Sequence, residues 1–248
     1  MQRTTQAIVL REVPYKESDR ILTILTRDTG KMTVTARGGR KKGGGVSAAS
    51  QLLCWSEMTL SEHRGRWTLT EASTEMEFRG IRSDLDRLAL GTYFAELVET
   101  LTQEEVPAPQ VLALLLNCLY ALDNLDHPLP MVKAAFELRL LCLTGYAPFL
   151  EGCAQCGKSE PEEARFHLRE GVLHCRNCAV AEGVSMPVNQ ACLSAMRYIV
   201  FSESKRLLSF RLDEDSLRQL GDVCEAFLLT QLERGFRTLD FYKQVHLS

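Results

Sequence analysis

What the sequence lacks narrows it first. Its 248 residues contain no run of about 18 apolar side chains, the length a membrane-spanning helix needs, so no membrane contact is expected. The polar start Met1–Gln6 leads into the short apolar run Ala7–Leu10, too brief for a signal-peptide core, and a cytoplasmic location is expected. There is no internal repeat and no low-complexity tract. No glycine loop ends in Gly-Lys-Ser/Thr: Gly38 and Gly43 have the spacing of a phosphate loop, but Gly44 and Gly45 follow, so no nucleotide is expected. None of the five histidines stands at a spacing that pairs it with a nucleophile. Asp84-Leu85-Asp86 reads as charge at a helix start, and Glu160-Pro161-Glu162-Glu163 as an exposed turn. A binding protein is expected rather than an enzyme.

An excess of either charge is also missing, with 29 Lys+Arg against 32 Asp+Glu and a net charge of -3. The balance is uneven along the chain. Residues 1–80 carry 13 basic and 9 acidic side chains, whereas 81–248 carry 16 and 23, a split of +4 against -7. Such asymmetry suggests an interaction surface in the first part. From Lys31 to Lys42 there are five basic residues (Lys31, Arg37, Arg40, Lys41, Lys42) and no acid. The plainer alternative is a solvated loop whose charge is accidental.

The first 80 residues read as strands. Ala7–Val13, Ile21–Thr26, Met32–Ala36, Leu52–Ser61 and Trp67–Thr70 are apolar or alternating, and turn residues separate them. Five short strands without an intervening helix fit a small closed barrel of the OB-fold or SH3-like kind. The stretch Arg37–Gly45 has five glycines in nine residues and predicts a flexible loop. From Ser83 the apolar period becomes helical. Ser83 is the expected N-cap of a helix reaching Leu101, Pro109 opens a second to Leu122, and a third spans Met131–Thr144 with Gly145 as its stop. Two more are expected at Asn189–Ser202 and Ser216–Arg234.

Cysteine is plentiful, at nine. Cys153-Ala154-Gln155-Cys156 and Cys175-Arg176-Asn177-Cys178 are two C-x-x-C turns with 18 residues between them, matching the zinc-ribbon template. Such turns aim two thiolates each at one ion, and four thiolates complete a tetrahedron with no open position for water. One structural Zn2+ per chain is expected, with Cys153, Cys156, Cys175 and Cys178 as ligands. Gly152 and Gly157 relieve the first turn, while His167 and His174 between the pairs are surplus to a filled site. A redox dithiol would need one C-x-x-C opening a helix in a βαβ unit, which this arrangement lacks. The other five cysteines read as buried apolar side chains.

Ala7-Ile8-Val9-Leu10-Arg11, Tyr15-Lys16-Glu17-Ser18-Asp19-Arg20-Ile21-Leu22, Thr26, Gly30 and Ala36-Arg37-Gly38, together with the order of parts along the chain, resemble the RecO recombination mediators of bacteria. The sharp motifs lie in residues 6–45 and 153–178. The resemblance implies an OB-fold that binds single- and double-stranded DNA without catalysis, and annealing of complementary strands. It also implies partnership with RecR, contact with the acidic C-terminal tail of single-stranded-DNA-binding protein, help in loading recombinase on coated strands, and a nucleoid-associated location. The expected architecture is α+β and multidomain. An OB-fold barrel occupies 1–80, a helical domain 81–148 and 186–248, and a zinc ribbon-like module is inserted at 149–185. Lys31, Arg37, Arg40, Lys41, Lys42, Arg64 and Arg66 are the expected nucleic-acid contacts. Tyr15 and Trp67 either stack on bases or sit in the core. Arg20 either meets DNA or pairs with Asp19 or Glu17. The competing reading is an OB-fold and zinc-ribbon scaffold of an RNA or transcription assembly, and a metal-dependent hydrolase is a third.

Overall fold

A computed structural model describes residues 1–41, 44–178 and 183–246. Five strands, β1 (Gln2–Tyr15), β2 (Asp19–Thr26), β3 (Gly30–Ala36), β4 (Trp55–His63) and β5 (Arg66–Met76), close into a barrel of order β1-β2-β3-β5-β4. The β3–β5 pair is parallel (Val34↔Trp67, Thr35↔Thr68, Ala36↔Leu69), and the other neighbours are antiparallel. This is the five-stranded Greek-key arrangement of an OB-fold. Alternation decides which side chains line it. Leu22 and Ile24 of β2 and Met32, Val34 and Ala36 of β3 point inward with Ala7, Val9, Met58, Leu60 and Leu69, and all are buried.

The first strand is longer than its apolar run. Ala7–Tyr15 pairs with β2, whereas the polar Gln2–Ile8 pairs with β4, and an irregularity between Val9 and Arg11 bends one strand to serve both partners. Ladder hydrogen bonds come from the backbone, so Gln2–Gln6 join without an apolar signature. The expected strand start at Leu52 is corrected to Trp55. Leu53 has a left-handed φ of 61° and its N–H bonds Val9 O at 2.9 Å, which breaks the extended run. The five strands expected to have no helix among them are interrupted between β3 and β4 by α1 (Gly45–Ala49), whose Val46 and Ala49 pack on the barrel core. A Cβ at Gly45 would stand 2.7 Å from Ala72 O, so glycine is required there for close approach.

The remaining helices are α2 (Arg79–Arg82), α3 (Leu85–Leu101), α4 (Pro109–Asn124), α5 (Leu129–Leu143), α6 (Gln190–Phe201), α7 (Glu214–Leu232) and α8 (Arg237–His246). The five long ones that the apolar period predicts are all present. The N-cap of α3 is Asp84, which accepts the Arg87 N–H at 3.0 Å; Ser83 instead ends α2 in a right-handed conformation. Asp213 caps α7 in the same way, moving its start ahead of Ser216. Four short strands, β6 (Phe149–Cys153), β7 (Arg165–His167), β8 (Val172–His174) and β9 (Ser185–Pro187), form a second sheet of order β6-β8-β7-β9.

By internal contacts the chain divides into residues 1–125 with 236–248, and residues 126–235. The first unit holds the barrel with α1–α4 and α8. Within it, Arg11 pairs with Glu99 of α3, and Glu96 of α3 accepts both the Thr238 N–H and its hydroxyl at the start of α8. The second unit holds α5–α7 and the four-stranded sheet. Its helical core contains a charged group that the apolar period does not announce. Lys133 Nζ lies 2.8 Å from Glu137 Oε1 and 2.9 Å from Glu225 Oε2, with the Glu137 side chain fully buried. Burial pushes the Lys133 ammonium pKa down, but the two carboxylates outweigh it and hold it above its ordinary value.

Two glycines of the barrel separate backbone strain from steric contact. Gly30 and Gly65 both have positive φ (86° and 74°), but a Cβ at Gly30 would stand 2.0 Å from Val106 O, while Gly65 faces open space. Gly65→Ala is expected to cost about 1 kcal/mol from the left-handed conformation alone. Gly30→Ala is expected to cost clearly more than that, read as a larger drop in the urea-unfolding midpoint.

Candidate nucleic-acid interface and metal centre

The basic stretch after β3 is a bonded turn. Asp19 Oδ1 accepts the Gly38 N–H at 2.9 Å, Ser18 O accepts the Arg40 N–H at 2.9 Å, and Glu17 O accepts from the Arg40 guanidinium at 3.3 Å. Gly39 N–H to Ala36 O and Lys41 N–H to Gly38 O close the turn on itself. The flexible loop expected here is therefore a fixed turn over Arg37–Lys41, docked on the β1–β2 connection. Lys42 lies outside the described residues. Gly38 adopts φ of 67°, the conformation that aims its N–H at the carboxylate. The Gly38 N–H above all, with the Ser18 hydroxyl, Lys16 and Arg37, holds the Asp19 carboxyl below its ordinary pKa against an opposing desolvation.

Arg37, Arg40 and Lys41 are exposed, and the turn carrying them adjoins Tyr15 and Lys16. Sequence reasoning passed over Lys16, although it lies inside the quoted motif. Its ammonium sits 5.2 Å from the centroid of the Tyr15 ring, which is 41% exposed. Arg64 and Arg66 are also exposed, at the β4–β5 hairpin, where Arg64 and Gly65 both have positive φ as a tight hairpin turn requires. The structure does not bring these two onto the first cluster. By the β3–β5 register, Arg66 is level with Thr33, and Arg37 follows Ala36 at the far end of the same ladder. Four residues of strand separate them, about 13 Å. Between the two basic rims lies the outward face of β1–β3, with Thr33, Thr35, Ile21 and Val13 at least partly exposed. OB-folds bind oligonucleotides on the face of strands 2 and 3 with the β1–β2 and β4–β5 loops; here the turn after β3 docks on the first of these loops, and Arg64 lies in the second.

Other basic side chains are committed within the fold. The Lys31 side chain is 13% exposed, donates to Glu99 O at 2.7 Å and lies 3.9 Å from Glu104. It stands with α3, apart from the exposed rims. Arg20 pairs neither with Asp19 nor with Glu17. It lies 3.0 Å from Glu12 Oε2 and donates to Ser50 O at 3.3 Å, binding the first hairpin to the end of α1. Trp67 packs half-buried against the barrel core with the Arg3 guanidinium 5.7 Å from its ring, so the core alternative holds for it.

In the second unit the sulfur atoms of Cys153, Cys156, Cys175 and Cys178 all lie within 4.8 Å of one another. Cys156 and Cys175 sulfurs are 3.7 Å apart. A tetrahedron of thiolates about one zinc-sized ion needs S···S separations of about 3.8 Å, so the donor set fits a four-thiolate metal site. The local backbone explains the fit. Cys153 ends β6, its N–H bonds Lys158 O at 2.9 Å, and Gly157, at φ of 72°, returns its own N–H to Cys153 O at 2.9 Å. A Cβ at Gly152 would stand 2.9 Å from Lys158 O, so both flanking glycines are used as expected. Burial pushes the Cys153 thiol up, but the N–H groups of Cys156, Cys175 and Gln155 outweigh it and bring the pKa down to about 5. His167 and His174 stay outside the cluster, packed edge-to-face with ring centroids 6.4 Å apart. Cys54, Cys118, Cys192 and Cys224 are buried apolar residues, whereas Cys142 is only half-buried.

The first unit is a closed OB barrel with an exposed basic rim, and the second combines helices with a four-cysteine ribbon. Comparison with known proteins supplies the class. Residues 1–78 match the Recombination protein O N-terminal family and residues 82–240 the Recombination protein O C-terminal family. The "DNA repair protein RecO" of Acetivibrio thermocellus is 34% identical over 240 residues, covering 96% of this chain and 95% of that protein. The proteins of the same name from Rubrobacter xylanophilus (36% over 220 residues; 87% and 88% covered) and Bacillus subtilis (29% over 222; 90% and 86%) are similar along most of their length. The chain belongs to the RecO family of DNA repair and recombination proteins. No described helix is long and apolar enough to cross a membrane.

Cys153→Ser and Cys178→Ser are each expected to lose the bound metal and to lower solubility as the module unfolds. Metal content per chain is the measurement, and full stoichiometric metal in both variants would overturn this ligand set.

Proposed function

We propose that the protein is a non-enzymatic recombination mediator that binds single- and double-stranded DNA and anneals complementary strands. With RecR it helps load recombinase on coated single strands. The observation that carries the DNA reading is the docking of Arg37, Arg40 and Lys41 beside Tyr15 and Lys16. Four exposed cations and an exposed ring stand at the edge of an OB-fold face, the pairing of phosphate and base contacts that single strands need. Lys42 extends the basic run in sequence, and Arg64 and Arg66 offer a second rim. Lys31 is left out, because its charge is spent on α3.

The metal in this reading is one structural Zn2+, held by Cys153, Cys156, Cys175 and Cys178. Four thiolates fill the tetrahedron, so the ion supplies folding energy and no reactive water. The further partner is the acidic C-terminal tail of single-stranded-DNA-binding protein. No nucleotide takes part, and the protein works on the nucleoid in the cytoplasm. Family membership and the full-length similarity to DNA repair proteins support this assignment.

The decisive experiment is annealing of complementary oligonucleotides, with and without coating protein and with no nucleotide or divalent metal. Annealing supports the mediator reading. A preference for RNA would favour the scaffold of an RNA or transcription assembly, and cleavage on adding Mg2+ would favour a hydrolase. Charge reversal of Arg37, Arg40 and Lys41 is expected to weaken single-strand binding. It should also flatten the log–log salt dependence by about 0.7 for each phosphate that is no longer neutralised. An unchanged slope would remove this turn from the interface.

A further inference from the structure

We propose that Asp19 is the positioning residue of the interface: its carboxylate latches the basic turn Arg37–Lys41 to the β1–β2 turn and so fixes where those cations meet a phosphate backbone. The inference rests on the DNA reading above and deepens it.

The carboxylate belongs to a strand rather than to a loop. Asp19 is the first residue of β2 and stands in register with Tyr15 on β1. From there Oδ1 takes the Gly38 N–H at 2.9 Å and stands 3.3 Å from the Ser18 hydroxyl. The neighbouring Ser18 carbonyl takes the Arg40 N–H, so two successive residues at the start of β2 hold alternate N–H groups of the basic turn. Arg40 adds a bond from its N–H to Ser18 O and one from its guanidinium to Glu17 O, and Gly39 packs close to Ala36 and Ser50, so the Asp19 carboxylate is the side-chain acceptor among these contacts. A Cβ at Gly38 would meet only the Lys41 side chain, at 3.6 Å. Asp19 is also the register partner of Tyr15, so the latch ties the basic turn to the residue paired with the exposed ring. Preorganising long cationic side chains on a fixed turn lowers the ordering cost of binding.

The charge of Asp19 makes the idea testable by sign. A carboxylate beside a phosphate-binding surface repels the ligand, so removing a mere surface acid should tighten DNA binding. Removing a latch should weaken it. Asp19→Ala, Asp19→Asn and the triple Arg37→Glu/Arg40→Glu/Lys41→Glu variant would be compared as full chains. The readouts are fluorescence anisotropy on a labelled single-stranded oligonucleotide across a salt series, and hydrogen exchange at the Gly38 amide. Asp19→Ala is expected to weaken binding between about threefold and tenfold, to flatten the salt slope, and to release Gly38 from protection while Ile24 and Val34 stay protected. Asp19→Asn keeps an oxygen acceptor for Gly38 and is expected to bind at least as tightly as the native chain.

Unchanged or tighter binding by Asp19→Ala, with the triple variant still weakened, would overturn the latch and leave the DNA reading standing. Equal weakening in the asparagine variant would also overturn it, because the hydrogen bond would then not be what matters. If the triple variant changed nothing, the DNA reading would fail first. Should the alanine variant not fold, Asp19→Glu displaces the acceptor by one methylene at constant charge. It is expected to weaken binding, and native affinity in it would overturn the latch.

Discussion

Three residues of parallel pairing, Val34–Ala36 against Trp67–Leu69, close the barrel, and the rest of the first unit follows from them. Parallel neighbours cannot be joined by a tight turn, so the chain must leave β3 and cross the barrel end before β5 can return beside it. That crossing contains the basic turn, α1 and β4. Its first residues emerge at the end of β3 that pairs with the start of β2, where the β1–β2 turn also stands. Closure thus delivers Arg37–Lys41 to Tyr15–Asp19, and it sends the β4–β5 hairpin with Arg64 and Arg66 to the other end of the ladder. The two basic rims are consequences of one topology.

Charge in this unit is sorted by where its partners lie. Arg11, Arg20 and Lys31 spend their charges on Glu99, Glu12 and Glu104, and in doing so fasten the barrel to α3 and to its own hairpin. Arg37, Arg40, Lys41, Arg64 and Arg66 remain exposed. One group with the wrong sign for DNA, the Asp19 carboxylate, is occupied by the Gly38 N–H, whereas Arg40 bonds only the backbone carbonyl of Glu17. The +4 net of residues 1–80 is therefore not a count of free cations: these five exposed ones stand at two rims, while others are paired within the fold.

Alternation made the barrel interior legible, because Leu22, Ile24, Met32, Val34 and Ala36 repeat with the period of a half-buried strand. The metal cluster was legible because a C-x-x-C turn is local geometry, and the two flanking glycines are local as well. What stayed hidden depends on distant partners. Gln2–Gln6 become strand only because β4 is there to pair with them. The α1 helix is masked by its glycine-rich approach, and it holds through two small side chains under the barrel. Ser83 and Asp84 are equally good caps in isolation, and α2 decides between them by using Ser83 to end itself. Lys133 reads as a surface charge until α5 and α7 pack around it. In the same way the composition of the basic turn was plain, but its hydrogen bond to Asp19 spans 19 residues and could not be inferred from spacing.

The metal module is bound into its helices by similar long-range contacts, which bears on what its ion does. Strands β7, β8 and β9 have three residues each, too short to hold a sheet unaided. One side of the sheet leans on α7, where Phe166 and Phe227 pack edge-to-face at 5.0 Å and Gln231 donates to Leu168 O at 2.8 Å. Arg197 of α6 reaches Leu150 O, Ser159 O and Glu160, all within 2.8 Å, and so clasps both sides of the first cysteine turn. Asn189 stands two residues beyond the end of β9. It caps α6 through Cys192 N–H and ties it to Gln219 and Ser216 of α7. The helices thus supply packing that the short strands lack, while the Ala154 N–H to Leu173 O bond and the four clustered cysteines bring the two turns together. A metal held by these four thiols would brace β6 against β8, where Arg197 bonds the first cysteine turn, and its removal should loosen α6 as well as the ribbon.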